Sequence, residues 1–197
     1  MFNSLTSEIM KQEYIISAYS ENHIGLLNRI TIIFTRRKVN IESLTVSESA
    51  LKGISKFTIV VNETKDKVSN IVKQIDKQIE VLKAFYHTNE EMIFQEIALY
   101  KVPTAPLMES DQIERLIRSH NARILEITPE YTVIEKTGHK EETQELFTKL
   151  NQFGVLQFIR SGRIAITRSP IEKLSEFLKE RDALLAKIES KGKVSKV

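Results

Sequence analysis

The chain has 197 residues, of which 41% are hydrophobic and 28% are charged, and its formal net charge is +3. This composition is typical of a globular protein, and the length allows one large domain or two small ones. The absence of cysteine excludes disulfide bonds, thiol catalysis and cysteine-ligated metals. Such a small positive charge gives little support for nucleic-acid binding, which we do not expect.

No apolar run approaches the roughly 18–20 residues that cross a bilayer. The first residues, MFNSLTSEIMKQ, lack the long apolar segment and the small-residue cleavage site of a secretory signal. We therefore expect a cytoplasmic protein that does not contact a membrane.

The first half of the sequence predicts the order strand, helix, strand, strand, helix, strand. Apolar residues at helical spacing mark one helix from Leu26 to Phe34 and another from Val68 to Ile75, the second capped by Thr64. The predicted strands are Tyr14–Tyr19, Ile41–Ser47, Ile54–Val61 and Val81–Tyr86. This is the order of a ferredoxin-like unit, which we place at residues 12–88.

A polar, acidic stretch from His87 to Met92 is followed by a second unit of the same order, placed at residues 93–168. Pro103 to Pro106 predicts a turn, Ser110 a helix cap, and Leu146 to Leu150 a helix. The helix after Ser110 contains Ile113, Leu116 and Ile117. The predicted strands are Phe94–Val102, Arg123–Thr128, Tyr131–Thr137, Val155–Arg160 and Ile164–Thr167. The fold class is therefore α+β, with two ferredoxin-like βαββαβ units. Each is small enough to be marginal alone, so we expect them to pack together or to be completed by a partner.

A terminal amphipathic helix is predicted over residues 169–190. Ser169, Pro170 and Glu172 have the serine cap, first-turn proline and acidic third position of a helix start. An apolar stripe follows, and the helix should fray at Lys191 to Lys193. The stripe consists of Leu174, Phe177, Leu178, Leu184, Leu185 and Ile188. Such a helix packs on its own domain or docks on another subunit.

Residue patterns that carry catalysis are scarce in this sequence. The four histidines have no zinc-helix spacing, and we interpret each as a surface or cap residue. The acidic pairs Glu90–Glu91 and Glu141–Glu142 are interpreted as solvated charge near helix starts. No glycine-rich phosphate loop is present, and the basic clusters lack interleaved aromatic residues. We therefore predict no catalytic residue and no metal ligand, and a chain that is not an enzyme by itself.

The turn that joins the first strand to the first helix is the most informative segment. Unpaired backbone N–H groups at the positive end of a helix attract a carboxylate, and Gly25 lets a ligand approach the backbone. Asn22 and Asn40 each offer an amide that can fix a carboxylate or an ammonium group. An amino acid would suit such a site. The same residues are equally consistent with a helix cap at Asn22, relief of crowding at Gly25 and a turn at Asn40.

The segment ENHIGLLNRITIIFTRRKVNIESLTVSES resembles the start of the small, regulatory subunit of acetolactate synthase (acetohydroxyacid synthase). The match consists of E-N-x-x-G-x-L-x-R-x-x-x-x-F followed by N-I-E-S-L-T-V. Weaker similarity continues through IVKQIDKQIEVLKAF, QEIALYKV, ARILEITPEYTVIEKTG and FGVLQFIRSGRIAITR. The resemblance covers residues 12–168. It implies an N-terminal ACT domain, a ferredoxin-like module that binds amino acids, and a C-terminal ACT-like domain.

The resemblance implies a partner rather than a reaction. Members of this family bind a catalytic large subunit, raise its activity and make it sensitive to valine or other branched-chain amino acids. Thiamine diphosphate, Mg and FAD are expected only in that catalytic partner, with no cofactor in this chain. The effector would lie in a homodimer, between the first turn of one chain and the second strand of the other. The implied effector-binding residues are Asn22, His23, Ile24, Gly25, Leu26, Leu27, Asn40 and Ile41.

Two features depart from the family pattern. Lys38 stands where the family commonly has glycine, and the helix after Pro170 extends beyond the shorter bacterial members. The alternative function is an ACT-domain amino-acid sensor that regulates transcription or another biosynthetic enzyme. A DNA-binding version would need a helix-turn-helix or a ribbon arm, and the sequence predicts neither.

Overall fold

The computed structural model describes residues 10–109 and 111–194, which form nine β-strands and six α-helices. The strands are β1 (Gln12–Glu21), β2 (Ser43–Glu48), β3 (Ile54–Glu63), β4 (Val81–Thr88), β5 (Met92–Pro103), β6 (Arg123–Ile127), β7 (Tyr131–Gly138), β8 (Gln157–Arg160) and β9 (Ile164–Thr167). The helices are α1 (Leu26–Arg36), α2 (Lys65–Ile75), α3 (Ala105–Glu109), α4 (Gln112–Ser119), α5 (Lys140–Asn151) and α6 (Lys173–Val194).

The N-terminal unit is a four-stranded antiparallel sheet in the order β2-β3-β1-β4, with α1 and α2 on one face. Alternate residues of β1, among them Tyr14, Ile16 and Ala18, point toward the helices and join their apolar faces in one core. The helices contribute Leu26, Ile30, Ile33, Phe34, Val68, Ile71, Val72 and Ile75 to this core. The predicted strand and helix order of this half is confirmed.

The C-terminal unit repeats the architecture with one change in its strands. Its sheet has the order β6-β7-β5-β8, and α4 and α5 cover one face through a core that includes Tyr100, Ile113, Ile134 and Leu146. The first four residues of β5 extend beyond this sheet and pair with β9 instead. The start of β5 (Met92–Gln95) and β9 (Ile164–Thr167) therefore form a two-stranded ribbon that extends out of the C-terminal unit. We call it the ribbon of β5 and β9.

This ribbon covers the helix-free face of the N-terminal sheet. Ile15 and Val60, which point away from α1 and α2, pack against Met92 and Ala165 of the ribbon, with Phe94 at the edge. Both faces of the N-terminal sheet are thus occupied, which explains the near-continuous burial of β1 from Tyr14 to Ser20.

The connection between the two units differs from the prediction. The stretch from His87 to Met92 was expected to be a polar break, but β4 continues to Thr88 and β5 begins at Met92. A single 3₁₀ turn, Asn89–Glu91, joins the two strands, and the Thr88 N–H donates to the Glu91 carboxylate at 2.8 Å. Glu91 is therefore a capping residue rather than free solvated charge. Glu142 has the same role at the start of α5, where it accepts the His139 N–H at 2.6 Å.

Further boundaries also differ from those predicted. The turn predicted at Pro103 to Pro106 is only the single residue Thr104, since β5 includes Pro103 and α3 begins at Ala105. The predicted cap Ser110 lies outside the described residues, and Asp111 precedes α4. The second strand begins at Ser43, so Asn40 and Ile41 lie in the preceding loop.

The terminal helix starts later and runs further than predicted. The Ile171 N–H donates to Ser169 Oγ at 3.2 Å, a local turn that delays the helix until Lys173. The helix then continues through Lys191 to Val194, where fraying was predicted. Leu174, in its first turn, is buried.

Candidate functional site

The turn between β1 and α1 is open and shaped by a glycine. Gly25 precedes α1 in the left-handed conformation, with φ +83°, which a residue with a side chain adopts only at a cost. No atom lies within 4 Å of the position that a Cβ on Gly25 would take. The Asn22 N–H donates to the Gly53 carbonyl at 3.2 Å, which ties the turn to the β2–β3 hairpin. The turn therefore presents the start of α1 to open space.

The side chains of the turn divide into two groups. Asn22, His23, Ile24 and Leu27 are exposed, and Ile24 is 98% exposed. Within the described residues, the Asn22 amide has no hydrogen-bond partner. Leu26 is buried in the core against α2 and the sheet, so only its backbone can face a ligand. The exposed group therefore combines one free amide with two apolar side chains.

Arg29, in the first turn of α1, is paired with Glu80. Arg29 of α1 donates to Glu80 at 2.6 Å, and this hydrogen bond is the main reason that the pKa of Glu80 lies below its usual value. Glu80 is thus ionised and paired, and the charge of Arg29 is occupied by it. A carboxylate bound here would be held by backbone N–H groups and by Asn22.

Asn40 and Ile41, the other predicted half of the site, lie at the opposite end of the sheet. Glu21 pairs with Ile54, whereas Ser43 pairs with Val60 near the other end of β3. The 11 residues of α1 separate the two places, a distance of about 16 Å along the helix axis. The Asn40 amide donates to Glu42 at 2.9 Å, and Ile41 packs against the N-terminal core. One chain alone does not bring the two asparagines together.

Lys38, at the position where the family commonly has glycine, adopts the left-handed conformation that favours glycine. Its φ is +53°, and its N–H donates to the Thr35 carbonyl at 3.0 Å as α1 ends. The loop that carries Asn40 therefore follows a helix end of the usual shape despite the substitution.

A buried ionic cluster lies where the C-terminal unit meets the start of β2. We call it the Arg163 cluster, and it consists of Glu13, Ser43, Asn89, Phe94, Glu96, Arg160 and Arg163. Arg163 is 4% exposed, and its guanidinium donates to Glu13 at 2.6 Å and to Asn89 at 3.3 Å. The guanidinium also lies 3.9 Å from the centre of the Phe94 ring. Glu96 forms ion pairs with Arg160 at 3.1 Å and with Arg163 at 3.5 Å.

The Arg163 cluster favours the ionised form of the Glu13 carboxylate. Burial by itself raises the pKa of Glu13, but the hydrogen bonds from Arg163 and Asn89 outweigh that influence, so the pKa lies below its usual value. Sequence reasoning missed this cluster, because Arg160-Ser161-Gly162-Arg163 has the composition of an exposed turn. Its only sequence signal is a second arginine directly after a turn glycine.

A second polar group is buried on the same helix-free face, beneath the start of α6. Tyr19 donates to Glu172 at 3.0 Å, and Lys56 donates to the Ala165 carbonyl at 2.6 Å. His87 is 5% exposed there, which corrects its interpretation as a surface or cap histidine. Burial, followed by the cations Lys173 and Lys56, lowers the pKa of His87. His139, by contrast, does occupy a helix N-cap.

The described residues contain no group of three or more histidine, aspartate or glutamate side chains placed to hold a metal ion. No helix in the described ranges combines the length and the apolar character that a membrane crossing requires.

Two family models match the chain. Residues 16–83 match the "AHAS small subunit-like ACT domain", and residues 95–169 match the "Small subunit of acetolactate synthase". These two ranges correspond to the N-terminal and C-terminal sheets described above.

Individual proteins agree with the family models. The acetolactate synthase small subunit of Bacillus subtilis (strain 168) is 35% identical over 162 residues, which are 82% of this chain and 94% of that protein. The probable acetolactate synthase small subunit of Methanothermobacter thermautotrophicus is 31% identical over 82% of this chain and 96% of that protein. The crystal structure of the acetolactate synthase small subunit from Thermotoga maritima matches with a TM-score of 0.74 and 28% identity, over 81% of this chain and 99% of that one.

Fold, family models and relatives agree along both units, and the chain therefore belongs to the family of acetolactate synthase small subunits.

Proposed function

We propose that this chain is the regulatory subunit of an acetolactate synthase and is not itself catalytic. It binds the thiamine-diphosphate-dependent large subunit, raises the activity of that subunit, and confers feedback inhibition by valine or a related branched-chain amino acid. The thiamine diphosphate, Mg and FAD belong to the large subunit. The observation that carries the effector site is the open, left-handed Gly25 turn at the start of α1, in a chain of this family.

The effector site is formed by two chains. Within the described residues, β2 has a strand neighbour on one side only, β3. A second copy that adds its own β2 in antiparallel direction places the start of one β2 beside the end of the other. Because Glu48 at the end of β2 pairs with Ser55, and Glu21 pairs with Ile54, that end of the sheet also carries the Gly25 turn. The strand registers thus support a homodimer in which Asn40 of one chain approaches the turn of the other.

The bound amino acid is recognised at both of its ends. Its carboxylate accepts hydrogen bonds from the backbone at the start of α1 and from Asn22, while Asn40 of the second chain holds the ammonium group. Ile24 and Leu27 supply apolar surface for a branched side chain. Each buried CH₂-sized group contributes about 0.8 kcal/mol, so valine should bind roughly tenfold more tightly than alanine.

Acetolactate formation by the complex reconstituted with the large subunit, measured across a valine titration, tests this function. Asn22→Ala, Asn40→Ala and Gly25→Asp should abolish valine inhibition and leave activation largely intact, because activation requires docking rather than the effector site. Gly25→Asp places a like charge beside the ligand carboxylate. The matched control is Asn151→Ala, on an exposed position at the end of α5, which should be inhibited like the parent.

Two results would contradict the proposal in separate ways. A parent chain that neither activates the large subunit nor responds to valine would refute the regulatory function. A parent that responds, with Asn22→Ala and Asn40→Ala inhibited just as strongly, would refute the shared site alone.

A further inference from the structure

The C-terminal unit contacts the segment that carries the second half of the proposed effector site. The backbone N–H of Arg163 donates to Ser43 Oγ at 3.0 Å, across 120 residues of sequence. Ser43 is the first residue of β2 and follows Ile41 by two positions. Glu42, which holds the Asn40 amide, lines a cavity of about 500 Å³ together with Gly162 and Arg163. The loop of residues 161–163 therefore lies against the start of β2 on its helix-free face.

Gly162 permits this close contact. A Cβ on Gly162 would overlap Thr45 Oγ1 and would lie 3.0 Å from the Leu44 carbonyl oxygen and 3.1 Å from Ser43 Oγ. A side chain at position 162 would therefore push the loop away from three successive residues of β2.

The Arg163 cluster holds the loop in this position. Arg163 and Glu96 are both nearly inaccessible to solvent, and Arg163 reaches Glu13 of β1 and Asn89 of the 3₁₀ turn, so its guanidinium joins both units. Removal of the arginine would leave the half-buried Glu13 carboxylate without this cation and the buried Glu96 carboxylate with Arg160 alone, which is costly. The loop is thus tied to the N-terminal sheet by hydrogen bonds and charge as well as by shape.

We infer that Gly162 and Arg163 position the Asn40–Ser43 segment, so that effector binding at the start of β2 is coupled to the placement of the C-terminal unit. This inference rests on the proposed function. It assigns Ser43 as the residue through which the 161–163 loop acts on the segment that carries Asn40. Because coupling is reciprocal, a change that releases the 161–163 loop must weaken effector binding, and bound effector must strengthen the attachment of the loop.

The experiment uses the full chain, with valine as the probe, in calorimetry and in acetolactate formation with the large subunit. Arg163→Gln, Gly162→Ala and Ser43→Ala should each raise the valine dissociation constant and the half-inhibitory concentration by about fivefold or more. Acetolactate formation without valine should stay within about twofold of the parent, because that activity requires docking on the large subunit and not the effector segment that these changes release. Ser43→Thr, which keeps the hydroxyl group, should behave like the parent.

The matched control is Arg123→Gln, which breaks the Arg123–Glu135 ion pair inside the C-terminal sheet. It should leave the valine response unchanged. Ser43→Ala removes the acceptor of the Arg163 backbone N–H, and Arg163→Gln loosens the loop that carries this N–H. Because both changes release the same loop, the double variant Ser43→Ala/Arg163→Gln should lose less valine affinity than the sum of the two single losses. If Arg163→Gln does not fold, Ser43→Ala and Gly162→Ala carry the same test.

The results separate the two proposals. A parent chain that binds no valine overturns the proposed function and this inference with it. A parent that binds valine, with Ser43→Ala and Gly162→Ala binding it equally well, overturns the inference and leaves the function standing.

Discussion

At the scale of single residues, burial lowers the pKa of His87, which the residues around it in the sequence do not indicate. Its side chain lies on the helix-free face of β4, where Lys56 and Lys173 are the nearby cations and Glu91 is the nearby anion. Its Nδ1 lies 3.9 Å from the Glu91 carboxylate. Burial and the two cations outweigh the attraction of Glu91, so the neutral imidazole is favoured in the folded chain.

We predict that the free energy of unfolding falls as the pH drops from about 7 to about 5 because of this histidine. The pKa of His87 in the folded chain lies below its ordinary value of 6.5, so the unfolded chain binds the proton more readily. The stabilisation is complete above the unfolded pKa and is lost as the pH falls through the lower, folded one. Urea unfolding across this pH range measures the effect.

His87→Gln should remove that part of the pH dependence, whereas His23→Gln, at an exposed position, should retain it. Equal slopes of stability against pH in the parent and in His87→Gln would show that other groups are responsible.

At the scale of secondary-structure elements, the first turns of α6 show whether this helix packs on its own chain or docks on another subunit. Leu174 is 3% exposed, Tyr19 donates to Glu172 just before the helix, and Lys83 lies 5.5 Å from the Phe177 ring. Tyr19 and Lys83 both belong to the N-terminal sheet of the same chain. The start of α6 therefore packs on its own chain, as one of the two alternatives for this helix requires.

Leu174→Ala should lower the free energy of unfolding by about 2–5 kcal/mol, because it removes a buried side chain and leaves a cavity. The measurement is urea unfolding followed by circular dichroism. Glu176→Ala, two residues further on and exposed, should change stability by less than about 0.5 kcal/mol. A loss for Leu174→Ala no larger than that of this control would show that the start of α6 is not held by Leu174.

At the scale of the whole molecule, the two units share a layer of buried apolar side chains. The ribbon of β5 and β9 belongs to the C-terminal unit by its connections, but its inner side chains Met92 and Ala165 complete the packing of Ile15 and Val60. Without the ribbon, this face of the N-terminal sheet would be exposed to water. The two units should consequently unfold together.

Differential scanning calorimetry should therefore show one transition for the parent chain. Ala165→Asp places an unpaired charge in the shared layer and should separate the unfolding of the two units into two transitions. Ile166→Asp, which introduces the same charged residue on the exposed side of β9, should keep a single transition. Two transitions in the parent, or one in Ala165→Asp, would show that the shared layer does not couple the units.

The sequence by itself determined the features that depend on neighbouring residues. The apolar spacing of Leu26, Ile30 and Phe34 is sufficient to predict α1, because helical periodicity follows from preferences that act over a few residues. The α+β class, the repeated order of elements and the family follow in the same way from local pattern and motif.

Only the tertiary structure decided the features that depend on residues distant in the chain. Arg163 and Glu13, which form an ion pair, are 150 positions apart, and no local pattern distinguishes a buried arginine from an exposed one. The burial of His87 and the direct passage from β4 to β5 depend likewise on the ribbon that covers the first sheet. The separation of Asn22 from Asn40 is also tertiary, because it follows from the strand registers that place them at opposite ends of one sheet.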